Sequence, residues 1–431
     1  MKRSSFALPA LALGLACPTL LAADWPNYRG PNHDGISTEK LVATSWPASG
    51  PRTLWRVPTP DGFSSFTVAN GRAFTLVNRE IDGVTRETVV ALDAATGQEL
   101  WAFPMAVPAY GHDGGNAGTP DNSGGDGPRS TPTLDGNRVY ALDSRLLLVC
   151  LDVATGEPVW RKNVLREYGG RVITWGGAAS PVIEGHRIFV ATASSEEGQS
   201  MIAVDKNSGE TLWKSGDDKM THATPVVATL HGQRQVIFFT QAGLTALHPD
   251  TGAILWQQEH PFRISTAASP IVVGDLVYAS AAYERGAGLY RIGRDGSRFT
   301  STTVWMKPNA LMNHWSTPVH HDGHLYGLFG HANYGRNPLQ CIELATGEIK
   351  WSQDGFGPGN VTLVDGHLIV LGDAGQLVLA EASPAAYREK ARANVVSGKC
   401  WTTPTYAGGL LYVRSTVEGV CLDLRPQVAA R

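Results

Sequence analysis

The stretch ALDAATGQELW, residues 91–101, is written again with small edits as CLDVATGEPVW (150–160), AVDKNSGETLW (203–213), ALHPDTGAILW (246–256) and CIELATGEIKW (341–351). Each copy opens on a small residue, carries Thr or Ser sixth and Gly seventh, and closes on Trp. The pattern reads as strand, tight turn, strand, with Gly taking the positive φ that a β-carbon resists. The Asp or Thr side chain can bond the turn's own backbone, and the indole buries its area against a neighbouring unit. Such self-similarity overrules a domain count taken from length, because stacked units share one closed architecture.

A second signature precedes each copy: a small residue, Ser or Thr, then Pro, leading into a hairpin. It stands as STPTLDGNRVYAL (130–142), ASPVIEGHRIFVA (179–191), ATPVV (223–227), ASPIVVGDLVYAS (268–280), STPVHHDGHLYGL (316–328) and TTPTYAGGLLYVR (402–414). Looser versions at 64–76 and 359–371 complete the series. The typical step of about forty-five residues fits four strands and their turns, the size of one propeller blade. The expected fold is therefore all-β, an eight-bladed propeller of four-stranded antiparallel blades. The last blade ends at GVCLDLRP without a Trp, while RTLWRV (52–57) has a Trp and no partner, so residues 52–57 are expected to supply its outer strand and close the ring. The expected domain runs over 52–426, preceded by an extension over 24–51. Blade seven lacks the Thr-Gly turn and the Trp after LVLAEASP, which leaves its outer strand unmarked.

Glycine is abundant at 48 residues and charged residues make up only 17%, as suits many short strands and turns. A formal charge of −3 with no basic run points away from nucleic acid. Lys2 and Arg3 precede an apolar stretch from Phe6 to Leu21 and then Ala22 and Ala23, the pattern of a secretory signal peptide cleaved near Ala23. Gly14-Leu15-Ala16 before Cys17 matches poorly the sequence that directs lipid attachment. No later segment approaches a membrane span. The expected address is periplasmic or secreted, and the expected state a monomer. Cys150, Cys341 and Cys421 occupy equivalent repeat positions where other copies carry Ala, so they are expected to be free core thiols.

The A-x-D-x-x-T-G-x-x-x-W repeat and the Ser/Thr-Pro inner strand resemble the PQQ-like (pyrroloquinoline quinone) repeat propellers over the whole mature chain. WPNYRGPNHDGIS (25–37), WGGAASPV (175–182) and CWTTP (400–404) are similar to an exported bacterial branch of that superfamily. The resemblance implies the propeller fold and two known ways of using it. Quinoprotein dehydrogenases sandwich the quinone between a Trp and a disulfide of adjacent cysteines, over a Ca²⁺ held by carboxylate and amide oxygens. This chain has no adjacent cysteine pair, and the oxygen-rich DNSGGDG (121–127) misses the calcium-loop spacing. The other relatives are propeller lipoproteins that assist outer-membrane β-barrel assembly.

Propeller topology selects the face for a site. The first-to-second strand turns (70–71, 135–136, 184–185, 322–323, 365–366, 408–409) and the Thr-Gly turns are tight and share one rim. The long irregular segments, 104–128 and 161–177 among them, share the other, which is the pattern of a binding face. Two residues before each Ser/Thr-Pro step, at the funnel mouth, stand Phe63, Arg129, Ala178, His222, Ala267, Trp315, Pro358 and Trp401. The candidate binding face comprises Phe63, Arg129, Trp175, His222, His314, Trp315 and Trp401, able to grip a protein segment or an envelope polymer, or to plug the funnel. His314, His320, His321, His324 and His331 crowd one stretch without converging, so no metal ligand and no catalytic residue is assigned. The expected function is a non-catalytic exported scaffold needing no cofactor. The alternative is a PQQ- and calcium-dependent oxidoreductase of alcohols or sugars.

Overall fold

The computed structural model describes residues 24–41, 43–111, 117–119, 122, 125–330 and 336–425. The signal peptide with Cys17, part of the 121–127 loop, His331 and the expected domain end at 426 lie outside the described residues. Eight antiparallel blades of the same plan, each of four strands in meander order, follow one another around the ring, and the sheet of blade seven is extended to five by a short parallel strand. The first blade is Thr67–Ala69, Arg72–Ile81, Val84–Asp93 and Glu99–Pro104. The remaining inner strands are Thr133–Asp135, Val182–Glu184, Val226–Leu230, Ile271–Val273, Val319–His321, Asn360–Val364 and Thr405–Ala407, and those of successive blades adjoin around the axis. Blade seven does have an outer strand, Glu389–Asn394. Blade eight takes its own from the N-terminal Arg52–Pro58, antiparallel to Glu418–Asp423. The core is divided into eight apolar clusters, one at each seam between blades.

The repeated sentence is the seam. Its first residue lies directly across the ladder from its Trp: Ala91 opposite Trp101, Cys150 opposite Trp160, Ala203 opposite Trp213, Cys341 opposite Trp351. A small residue there leaves space for the indole to lean out of its sheet. The indole N–H then donates across the seam to the next blade's turn: Trp55 to Ala94 O, Trp101 to Val153 O, Trp160 to Lys206 O, Trp213 to Pro249 O. The Asp of that turn is a local cap, Asp93 Oδ1 accepting from the amides of Ala95 and Thr96 and from the Thr96 hydroxyl. The four cysteines Cys150, Cys341, Cys400 and Cys421 are free and buried.

Two seams lack this joint. Trp256 donates to Gln235 of its own blade, and there the long hairpin of blade five lies against blade four, Ser301 donating to Gln258 Oε1 and Arg294 to His231 O. Between blades seven and eight, Leu41, Ala43 and Trp46 of the N-terminal segment pack into the seam instead.

The Ser/Thr-Pro step also has a physical cause. In the six blades that carry the Pro, the inner strand is a sheet edge facing the axis, and Pro tolerates an edge because it has no N–H to leave unpaired. The residue before it is tied to the next blade: Thr403 N donates to Ser65 Oγ, Ser65 N to Thr131 Oγ1, Thr131 N to Ser180 Oγ, Ser180 N to Thr224 Oγ1. These side chains stitch the shaft from blade eight through blades one, two and three to blade four.

Residues 24–41 cross the shaft on the side of the tight hairpins. Trp25 pairs with Val68 of blade one, and Pro26 O accepts from Leu134 N of blade two. Arg29, 2% exposed, donates to the Thr317 and Pro318 carbonyls of blade six at 2.5 and 2.9 Å. Ile36–Ser37 pairs in parallel with the inner strand of blade seven. Glu39 accepts from the Gly408 and Gly409 amides of blade eight, and Lys40 pairs with Asp365. The expected extension is thus a strap over five blades before it becomes the clasp at 52–58.

Candidate functional site: the funnel-mouth belt

At the opposite mouth, the long between-blade loops deliver one side chain each just before an inner strand begins. All seven candidate residues meet in one closed circuit. Trp315 stacks on Trp401 with ring centroids 4.0 Å apart, although a whole blade separates them in the ring order. Trp401 stacks in turn on Phe63 at 4.8 Å. The Arg129 guanidinium lies 5.3 Å from the Phe63 centroid and 5.9 Å from that of Tyr110. Arg129 donates onward to Trp175 O and to the carbonyls of Gly125 and Gly127. His222 Nε2 lies 2.9 Å from Thr174 O, beside Trp175. Its Nδ1 lies 2.8 Å from Ser265 Oγ, which is 3.1 Å from His314 Nε2. The His314 ring closes the circuit on Trp315 at 4.7 Å.

Chemistry fixes the protons along the polar arc. Thr174 O only accepts, so His222 Nε2 carries the hydrogen and Nδ1 accepts from the Ser265 hydroxyl. Ser265 Oγ is then left to accept from His314 Nε2–H. Burial, with Arg129 nearby as the second cause, holds His222 at about 4, so it stays neutral at ordinary pH. Burial likewise pulls Arg129 downward from its usual value. Trp401 Nε1 donates to Asp373 Oδ1 at 2.7 Å and Lys399 Nζ lies 4.8 Å from the Trp401 ring, so this sector is also framed by charge.

Phe63 and His222 are buried, whereas Arg129, Trp175, His314, Trp315 and Trp401 keep part of their surface in solvent. Of the other three positions, Ala267 donates its amide to His314 O, and Ala178 and Pro358 bring no functional group. Sequence reading missed Tyr110, Ser265 and Thr174, which join the arcs from inside irregular loops. It also missed the acids beneath: Glu87 Oε1 accepts from Tyr110 OH at 2.6 Å and Oε2 from Ser144 N at 2.7 Å. His320, His321 and His324 lie on the inner hairpin of blade six, by the tight turns. Among the described residues no group of three His, Cys, Asp or Glu is placed to hold a metal ion.

The residues do not fit a quinone. A sandwich needs two free parallel faces, and both faces of Trp401 are already taken by Trp315 and Phe63. The four described cysteines stand singly, buried and unpaired.

The family model described as outer membrane protein assembly factor BamB matches residues 85–353, well over half of the sequence. The chain belongs to the BamB family. BamB of Yersinia pestis is 25% identical over 268 residues, covering 58% of this chain and 62% of that one. BamB of Moranella endobia is 26% identical over 273 residues, covering 60% and 66%. The match thus spans less than two thirds of these curated relatives. Among solved structures, BamB from Moraxella catarrhalis superposes with a TM-score of 0.59 at 17% identity, covering 89% of this chain and 100% of that one. Quinohemoprotein alcohol dehydrogenase from Comamonas testosteroni gives 0.61 at 13% identity, covering 95% and 82%. At such identities both share the fold, and the fold alone does not choose between them.

Proposed function

We propose that this BamB-family chain is a non-catalytic scaffold, working beyond the inner membrane, that holds a protein segment at the funnel-mouth belt during outer-membrane assembly. The belt is the observation that carries this reading. Its members stack on and hydrogen-bond one another, while the buried Trp315 indole N–H is left without a partner, and partly exposed indole edges and a backbone-rich rim remain for a partner. A belt with buried supports is pre-organised, which lowers the ordering cost of binding. The names of the sequence relatives support an assembly role, and the exhausted faces of Trp401 speak against a quinone.

Site-specific photo-crosslinking from position 315 in cells tests the proposal. Crosslinks to outer-membrane proteins or their assembly machinery are expected, and crosslinks to neither from a chain whose fold is intact by circular dichroism would count against the proposal. Adding PQQ and Ca²⁺ to the purified chain should give neither a new visible absorbance nor dye reduction with alcohols. A quinone-dependent turnover would overturn the reading.

A further inference from the structure

Beneath the belt, at the seam between blades one and two, sit two acids with no exposed surface. Glu87 and Asp143 are both 0% exposed. Every hydrogen bond they accept comes from a neutral donor: Tyr110 OH and Ser144 N on Glu87, and the amides of Ala106, Arg145 and Leu147 on Asp143. The two carboxyls approach through adjacent residues, since Ser144 N serves Glu87 and Asp143 precedes it. Two like charges held so in a dry seam cannot both ionise without large cost, and burial raises both acids from their ordinary values.

What the pair holds is the belt. Tyr110 is the coupling piece: its hydroxyl is on Glu87, its ring lies against the Arg129 guanidinium, and its carbonyl accepts from Trp175 N at 2.9 Å. Asp143 Oδ2 holds Ala106 N, on the same chain segment as Tyr110. Gly176 and Gly177 press on the same turn from above: a Cβ on Gly176 would lie 2.6 Å from Ser144 Cβ, and one on Gly177 would lie 2.7 Å from a Leu146 methyl. A change of charge below therefore has a rigid route to Trp175 and Arg129.

We infer that the Glu87–Asp143 pair is a proton-operated positioning device for the belt, setting Tyr110 and through it Trp175 and Arg129. The groups facing the pair are Tyr110 from the loop after blade one, Arg129 beyond the Tyr110 ring, and Asn78 on the neighbouring strand of blade one, whose amide faces Asp61. Burial first, and Glu87 second, raises Asp143 to about 7, inside the range an envelope protein meets. Burial lowers His222 of the belt to about 4, well below that window. With the proton held on Asp143, Tyr110 OH donates to the Glu87 carboxylate. With both acids charged, the repulsion is relieved by moving the segment that carries Ala106 and Tyr110.

Glu87→Gln is the informative variant. Its carbonyl can still accept from Ser144 N, its amide can donate to Tyr110 Oη, and the phenol proton can turn to Asn78 Oδ1, 3.3 Å away. The chain is labelled with 5-fluorotryptophan, the Trp175 signal assigned with Trp175→Phe, and the ¹⁹F shift followed from pH 5 to 9. The native chain should show a Trp175 shift with a midpoint between about pH 6 and 8, following the raised Asp143. Glu87→Gln should flatten it, and Tyr110→Phe should uncouple Trp175 while the fold, read by circular dichroism, persists. A flat native titration, or one unchanged in Glu87→Gln, overturns the inference. Neither result depends on the belt's ligand, so the binding proposal stands or falls separately.

Discussion

Trp101 of blade one and Gly156 of blade two form a single joint: the indole N–H donates 3.0 Å to Val153 O, and the ring lies where a Gly156 side chain would have to be. A Cβ there would approach the ring to 2.6 Å, at a backbone φ of 75° that already favours glycine. Gly156→Ala should therefore cost about 2–4 kcal/mol, from strain in the turn and displacement of the indole. Urea unfolding measures it. An effect as small as that of Gly136→Ala, at a hairpin tip with nothing within 4 Å, would show that the joint is not holding the seam.

Arg414 secures the last blade to the first. It is 0% exposed and donates to the carbonyls of Thr59, Asp61, Ser64, Leu76 and Ser415 and to the Thr75 hydroxyl. Burial lowers it to about 9, which leaves it protonated at neutral pH. Arg414→Met strips six acceptors of their donor and should destabilise by about 3–5 kcal/mol. Arg414→Lys, a point charge with three donors, should recover only part of this, so the chemical-denaturation midpoints should rank Arg, Lys, Met. Equal midpoints for Lys and Arg would show that charge, not the planar fork, does the binding.

Blade count, the clasp at 52–58 and the seam Trp residues were legible because each rests on a local pattern: alternation, a Thr-Gly turn, a Pro at a sheet edge. The strap was not, since Tyr28, Arg29 and Gly30 sit in a Gly- and Pro-rich run with the look of a solvated loop. Nothing periodic announces that Arg29 reaches blade six. Phe63, Arg129, His222, Trp315 and Trp401 stood out by their offset from the Ser/Thr-Pro step and Trp175 by its rim loop, whereas His314 stood only in a histidine-rich stretch, and the offset says nothing about faces. That Trp315 and Trp401 consume each other's faces depends on loop paths spanning a whole blade. Tyr110, Ser265, Glu87 and Asp143 lay in positions without a repeat equivalent, so pattern had no purchase on them.

The strap makes a prediction that separates it from the clasp. Arg29→Ala removes the donor of the Thr317 and Pro318 carbonyls while leaving Arg52–Pro58 in its sheet. The amides of Leu134 and Leu363, bonded to Pro26 O and Gly35 O, should lose hydrogen-exchange protection by a factor of ten or more, corresponding to about 1.4 kcal/mol of local opening. Amides of the clasp, such as that of Val57 opposite Gly419, should keep theirs. Parallel loss in both would mean that strap and clasp open as one unit.

Stability should have a maximum in pH set by two opposing sets of buried groups. His33, His222 and His260 are each lowered to about 4 by burial, so below about pH 6.5 the unfolded chain binds more protons and stability rises with pH. Asp143 is raised to about 7, so between its unfolded value near 4 and that point the folded chain holds the extra proton. Its contribution therefore falls as pH rises, by about 1.4 kcal/mol per unit, and levels off above about pH 7. The histidines mask this slope at acid pH, but a difference between two chains removes them. Glu87→Gln, which takes away the like charge, should gain stability relative to the native chain as pH rises from 5 to 7 and hold a constant margin above 8. Urea midpoints of both chains across that range read the margin directly, and one independent of pH would show that Glu87 does not raise Asp143.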